Sequence, residues 1–253
     1  MDYTSKLSQI IELQNEVEDL NPLFGQHYPV AIAVEGQFLI HEFDPQHGGY
    51  ALTKEVPLPF PIPEGIRAAF PMEALDGCSA AVVSPDALDT LAEQVLVLHE
   101  FVHCYQHATC EKALKDQLEI ARQAEAQGHQ TWELDTPFPY DSEEFIEHYS
   151  AYLSALLADD AEEARQVRGK LRAALSPLDW EYMAWQEWKE GYARWTENQL
   201  QRRLGLKVNT YGEQPPYSRI TFYVGGAAYF ELLHRQESAD LTDLPGLFER
   251  LMT

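Results

Sequence analysis

Cysteine is scarce in this chain of 253 residues, and the three that occur follow no spacing typical of a bridge or a metal site. Cys78, Cys104 and Cys110 are odd in number and include no C-x-x-C pair. The sequence therefore predicts neither a disulfide framework nor a thiolate zinc site, and we expect ordinary reduced thiols.

Long apolar runs and basic clusters are also missing. No window of about 18 apolar residues occurs, and the first residues, MDYTSKLSQIIELQ, lack a basic segment followed by an apolar one. We therefore expect a cytoplasmic protein with no membrane partner. Lysine and arginine total 18 against 41 acidic residues, a net charge of -23, which disfavours a nucleic-acid partner. The sequence does not define an oligomeric state.

Hydrophobic periodicity predicts a mainly helical α+β protein with a small N-terminal β region. The first elements are an amphipathic helix over 4–20, a β-hairpin over 30–40, a proline-rich connector over 56–63 and a strand in CSAAVV. Helices are predicted at about 86–109, 111–126, 142–158, 160–175, 179–204, 221–235 and 243–251. We expect one domain over 1–253, made of an N-terminal part (1–63) and a core (64–253) with a helical insertion (111–176).

The stretch LVLHEFVHCYQH, residues 96–107, carries the strongest chemical pattern. On a helix, His99 and His103 lie one turn apart on the same side and suit two corners of a tetrahedral zinc site. Glu100 then lies beside the metal, where its carboxylate can take a proton from an activated water. His107 is about 12 Å from His99 along the helix, too far to share that metal.

A catalytic zinc needs a third protein ligand, and EWKEGYARWTE (187–197) offers one. KEGYARWTE resembles the segment of the gluzincin M1 aminopeptidases that supplies their zinc-binding glutamate, commonly written NEGFAxYxE. The resemblance implies that Glu190 is the third ligand and that Glu197 supports the ligands from behind. The 86 residues between His103 and Glu190 form a much longer spacer than in those enzymes. The chain is thus similar to their catalytic core with a helical insertion.

Two further segments resemble the same family. YVGGAAYFELL is similar to its YxKGA segment, whose tyrosine stabilises the oxyanion of the reaction; the match falls on Tyr223, with Gly225 in place of the lysine. PMEALDG shares Met72 and Glu73 with the GxMEN motif, which implies that Glu73 holds a substrate α-amine.

Alternatives to these roles stay open. In SEEFIEHYSAYLSALL, Glu144 or Glu147 is a rival third ligand, while His148 is interpreted as a partly exposed helix residue. Tyr223 fits core packing as well as catalysis. On the helix of Glu190, an aromatic stripe predicts core packing, and two small residues next to the glutamates, at 191 and 193, would allow close approach of another helix. The stripe consists of Trp185, Trp188, Tyr192 and Trp195.

Together the motifs predict a zinc-dependent metallopeptidase with a thermolysin-like zincin core, acting on a peptide or small amide. His99, His103 and Glu190 would hold zinc, Glu100 would be the general base, and Tyr223 would stabilise the oxyanion. Two other functions remain open: a non-catalytic zincin-like binding or regulatory module, and a zinc hydrolase of a non-peptide substrate.

Overall fold

The computed structural model describes residues 3–253, and the chain divides into two compact units. The first unit contains the residues up to Thr109 together with Thr196–Val208. The second contains Cys110–Trp195 and Asn209–Thr253. Taken together, the elements of the chain are of mixed α/β type and helices predominate, as the sequence predicts.

The first unit is built on a five-stranded sheet. The strands are β1 (Val30–Val34), β2 (Gln37–Asp44), β3 (Gly49–Pro57), β4 (Arg67–Pro71) and β5 (Ser79–Val83). Their order is β3-β2-β1-β5-β4, and only the β1–β5 pair is parallel. All five residues of β5 are buried because SAAVV is apolar or small on both faces. The predicted hairpin and the CSAAVV strand are confirmed.

The two edge strands, β3 and β4, were not expected from the sequence. In β3 only Tyr50 is buried, and no residue of β4 is fully buried. Edge strands with so little buried surface lack the alternation that identifies a strand. The predicted connector at 56–63 is corrected accordingly, since its first two residues belong to β3.

Two long helices belong entirely to the first unit, α1 (Thr4–Val17) and α2 (Leu91–Thr109). A single helix over 86–109 was predicted, but the chain forms a short 3-10 helix at Pro85–Leu88 before α2 begins. The Thr90 hydroxyl accepts a hydrogen bond from the Glu93 backbone N–H at 3.3 Å, which caps the new helix. α2 packs against β4 and β5.

The second unit is helical. Its elements are α3 (Glu111–Lys115), α4 (Glu119–Gln127), α5 (Trp132–Asp135), α6 (Glu143–Leu157), α7 (Ala161–Ala174), most of α8 (Pro177–Arg203), α9 (Arg219–Arg235) and α10 (Leu244–Met252). The helix predicted at 111–126 is therefore two helices, and α5 was not predicted. Over residues 3–253, no helix combines the length and apolarity needed to cross a membrane.

The predicted aromatic stripe of α8 forms core in the second unit: Trp185, Trp188 and Tyr192 are fully buried, and Trp195 nearly so. Near it, α8 and α9 meet backbone to backbone. A Cβ on Gly191 would lie 2.5 Å from the Cα of Gly226, so neither position has room for a side chain. The predicted close approach at Gly191 is confirmed.

Beside this core lies a lysine–glutamate network formed by Lys115, Lys189, Glu111 and Glu133. The Lys189 ammonium contacts Glu111 and Glu133 at 2.8 Å each, and Lys115 also pairs with Glu133. Burial alone would raise the pKa of Glu133, but the lysines outweigh it and lower the pKa to about 2. The network pairs two lysines with two glutamates, and Glu133 also accepts a hydrogen bond from the Trp185 indole N–H at 3.1 Å.

Candidate metal centre

Helix α2 presents the two motif histidines from a buried position. His99 and His103 are each 7% exposed, and their ring centroids are 5.0 Å apart with the rings at 71°. The helix is uninterrupted through the motif because residues 91–109 contain neither glycine nor proline. The spacing of four residues thus places both imidazoles on one side of α2, as predicted.

Each histidine is oriented by a buried oxygen acceptor. The Nδ1 of His99 lies 2.9 Å from Oε2 of Glu197, whose other oxygen accepts a hydrogen bond from Gln201 at 3.0 Å. The Nδ1 of His103 lies 2.9 Å from Oε1 of Gln106, which is fully buried. With an N–H at Nδ1, the metal-binding lone pair of each neutral ring is at Nε2. Such partners behind the ligands are the usual support of a metal-binding histidine.

Glu190 on α8 completes a group of three possible ligands with His99 and His103, hereafter the metal-ligand group. Their ligand atoms all lie within 4.8 Å of one another, and the described residues contain no second group of this kind. Two imidazoles and one carboxylate are the donor set of catalytic zinc in thermolysin-like enzymes. Tetrahedral zinc ligands stand about 3.4 Å apart, so small side-chain rotations suffice. The residues fit zinc.

Helix geometry explains how one segment supplies two different carboxylates. Glu190 and Glu197 are seven residues apart on α8, which is about two turns, so they project from the same face. Glu197 is almost completely buried, whereas the side chain of Glu190 is 16% exposed. The resemblance implies this division between a ligand and a supporting carboxylate.

The rival carboxylates lie elsewhere. Glu144 and Glu147 are exposed on α6 and do not belong to the metal-ligand group. His107 also lies outside the group. Glu73, in the 3-10 helix after β4, is exposed and contributes no ligand to it. Of the candidate acidic ligands, the structure brings only Glu190 to the histidines.

Glu100 follows His99 directly and is buried, with 6% of its surface exposed. A carboxylate adjoining a metal-binding histidine in a largely enclosed position suits proton transfer, because few waters compete for it.

Tyr223 lies in the first turns of α9 and is nearly buried. Two guanidinium groups stand against its ring, that of Arg219 at 5.2 Å and that of Arg194 at 5.5 Å from the centroid. An Nη1 of Arg219 is 3.6 Å from Oε1 of Glu190. Burial lowers the pKa of Arg219, but Tyr223, Glu190 and nearby phenols raise it by more, so the guanidinium stays charged.

Gly225, at the position where the YxKGA motif has lysine, has a steric explanation. A Cβ at Gly225 would lie 1.9 Å from the hydroxyl oxygen of Tyr149, which donates a hydrogen bond to Glu187. No lysine side chain can start from this position.

Three residues near the metal-ligand group were not predicted from the sequence: Gln106, Arg194 and Arg219. Gln106 could have been found from its place three residues after His103 on the same helix. Arg219, four residues before Tyr223, and Arg194, four after Glu190, also have helical spacing, but nothing in the sequence shows that both reach the same ring.

Comparison with protein-family models, with curated proteins and with solved structures found no match for this chain. The likeness to the M1 aminopeptidases therefore rests on the short motifs quoted above. A gluzincin-like catalytic core of the thermolysin type remains a prediction, whereas the mixed α/β architecture is observed.

Proposed function

We propose that this protein is a zinc-dependent metallopeptidase that hydrolyses peptide or amide bonds. The observation that carries the proposal is the convergence of His99, His103 and Glu190 within 4.8 Å. Bound zinc would supply Lewis acidity to a water molecule and to the substrate carbonyl. The same donor set serves hydrolases of other substrates, so the proposal for a peptide bond rests additionally on the motif resemblance.

The remaining chemistry belongs to side chains of this protein. Glu100 takes a proton from the attacking water and passes it to the leaving amine, which needs a buried carboxylate beside the ligands. The Tyr223 hydroxyl donates a hydrogen bond to the developing oxyanion. Glu197 and Gln106 hold the Nδ1 protons and keep both imidazoles in the ligating tautomer.

The first experiment measures zinc. Protein purified without a metal-affinity column is analysed by ICP-MS after zinc is supplied and excess removed. We expect about one zinc per wild-type chain, lost in His99→Ala and Glu190→Ala. The matched control is Glu147→Ala, which removes an exposed carboxylate of the same type and should retain zinc. A wild-type chain without zinc would refute the metal site.

The second experiment tests turnover on a peptide library, read by mass spectrometry. Glu100→Gln should keep its zinc and lose about 10²- to 10⁴-fold in rate, the usual contribution of a general base. Undiminished cleavage by Glu100→Gln would refute its assigned role. Full zinc content with no cleavage of any peptide would favour a binding module or a non-peptide substrate.

A further inference from the structure

Arg219 is placed unusually for a chain so poor in positive charge. The protein has 18 basic residues against 41 acidic ones, yet this arginine stands beside the carboxylate of Glu190. Its side chain is 24% exposed, so it is mostly enclosed while still reachable from solvent. Among residues 3–253, Glu190 is the only carboxylate within ion-pair distance of it.

The contact with Glu190 leaves N–H groups of the Arg219 guanidinium available for a hydrogen bond to a ligand. A guanidinium carries five N–H donors in a planar fork that matches a carboxylate. The separation of 3.6 Å from Glu190 is longer than a hydrogen bond. The Tyr223 ring, 5.2 Å from the guanidinium carbon, limits where that fork can point. The Arg219 guanidinium is therefore fixed in position by its neighbours but does not form a close, hydrogen-bonded salt bridge with Glu190.

A second guanidinium stands against the same tyrosine ring. The Arg194 guanidinium stands 5.5 Å from the centroid of the same tyrosine ring, but Arg194 is buried. Of these two guanidiniums, that of Arg219 is the one with a partly exposed side chain, which an anion from solution can reach. Since the net charge of -23 repels anions in general, a local cation of this kind selects them at this point.

We propose that Arg219 binds a carboxylate of the substrate, so that the enzyme prefers peptides with a carboxylate close to the scissile bond. This inference rests on the proposed peptidase function and names its substrate class. The carboxylate is supplied either by the C-terminus of a short peptide or by an aspartate or glutamate side chain. Both sources present the same planar pair of oxygens to the guanidinium.

The experiment compares matched peptide libraries on zinc-loaded protein. One library has free C-termini and its twin is amidated; a second pair differs only by Asp/Glu against Asn/Gln. Wild-type protein should cleave the carboxylate-bearing member of at least one pair about 10- to 100-fold faster, as a charge-assisted hydrogen bond allows. The pair that shows the preference identifies the source.

Variants assign that preference to Arg219. Arg219→Gln should bring the ratio of the two cleavage rates to about one, whatever its effect on the neutral twin, and Arg219→Lys should restore part of the preference. The matched control is Arg235→Gln on the same helix, where the arginine pairs with Glu231 near the surface. That variant loses the same charge and should keep the wild-type preference.

A binding measurement separates this inference from the proposed function. Acetyl-Ala-Ala-Ala, as acid and as amide, is titrated into zinc-loaded Glu100→Gln protein by calorimetry, and into the metal-free chain if no zinc binds. Tighter binding of the acid that disappears in Arg219→Gln supports the proposal even if no peptide is cleaved. Equal binding of acid and amide, or an acid preference that survives Arg219→Gln, overturns it.

Discussion

Two buried polar clusters of this protein are built on opposite principles. In the lysine–glutamate network, Lys115 and Lys189 donate and Glu111 and Glu133 accept, so every charge faces its opposite. In the metal-ligand group, the Nδ1 atoms of the histidines face Glu197 and Gln106, and the two histidines and Glu190 offer ligand atoms within 4.8 Å of one another.

The difference distinguishes a structural ionic cluster from a candidate metal site. Ionic groups that face opposite charges stabilise the fold without a ligand from solution. Three ligand atoms gathered within 4.8 Å of one another form a set that a divalent cation can bind. Partner arrangement, more than burial, therefore identifies the candidate centre.

The largest expected effect comes from removing one of the proposed metal ligands. His103→Ala should weaken zinc binding by more than about 100-fold, because a ligand contributes more than the 10- to 100-fold of a supporting residue. A competition titration against a chromophoric chelator measures the affinity. His107→Ala, one turn further along α2 and outside the metal-ligand group, is the control and should bind zinc normally. Equal losses in both variants would contradict the assignment.

The converse experiment removes an acid from the network. Glu133→Gln should lower the free energy of unfolding by about 3 kcal/mol, since two mostly buried lysines lose a counter-charge. Urea denaturation followed by circular dichroism measures it, and zinc affinity should stay within about twofold. Glu119→Gln, which removes an exposed carboxylate paired with Arg122, should cost less than about 1 kcal/mol. Weaker zinc binding by Glu133→Gln would show that the metal-ligand group depends on the lysine–glutamate network.

The stabilisation by the lysine–glutamate network should be lost over a defined range of acidic pH. The pKa of Glu133 is lowered to about 2 from an ordinary 4.5. The stabilisation is thus complete above pH 4.5 and is lost as the pH falls from 4.5 through 2. We expect the stability difference between wild type and Glu133→Gln, about 3 kcal/mol at pH 6, to shrink over that range. Denaturation curves at pH 6, 4, 3 and 2.5 test it; a difference independent of pH would exclude this origin.

A smaller effect on zinc affinity is expected when the carboxylate that contacts His99 is replaced. Glu197→Gln keeps the shape of the residue behind His99 but removes its charge, and should weaken zinc binding about 10- to 100-fold. The same chelator competition measures it. Glu147→Gln makes an equal charge change at an exposed site and should have no effect. If Glu197→Gln binds zinc like wild type, the orientation of His99 does not depend on this carboxylate.

Much of the fold follows from local pattern. The helices that carry the site, α2, α8 and α9, bury apolar side chains at helical spacing and were predicted to within about five residues at each end. The edge strands β3 and β4 were missed because pairing with a neighbour, rather than burial, defines them. Each edge strand pairs with the strand next to it in the chain, but hydrogen bonding along the backbone leaves no hydrophobic alternation in the sequence.

The same limit applies to the candidate centre. The HExxH histidines are fixed by one helix, so their sequence spacing is also their geometry. The choice between Glu190 and Glu147 depends on the path of the chain over the 86 residues between His103 and Glu190, which no pattern encodes. Arg219 was missed for that reason too, because its contact with Glu190 joins two helices.

The glycine contact between α8 and α9 has a consequence for all of this chemistry. Gly191 directly follows Glu190, and Gly226 lies one turn after Tyr223, so the main chain itself sets how far Arg219 and the tyrosine stand from the carboxylate. One added methyl group at Gly191 would widen that gap without altering a single functional group. The centre can thus be tuned, in evolution or by design, from a position that has no side chain.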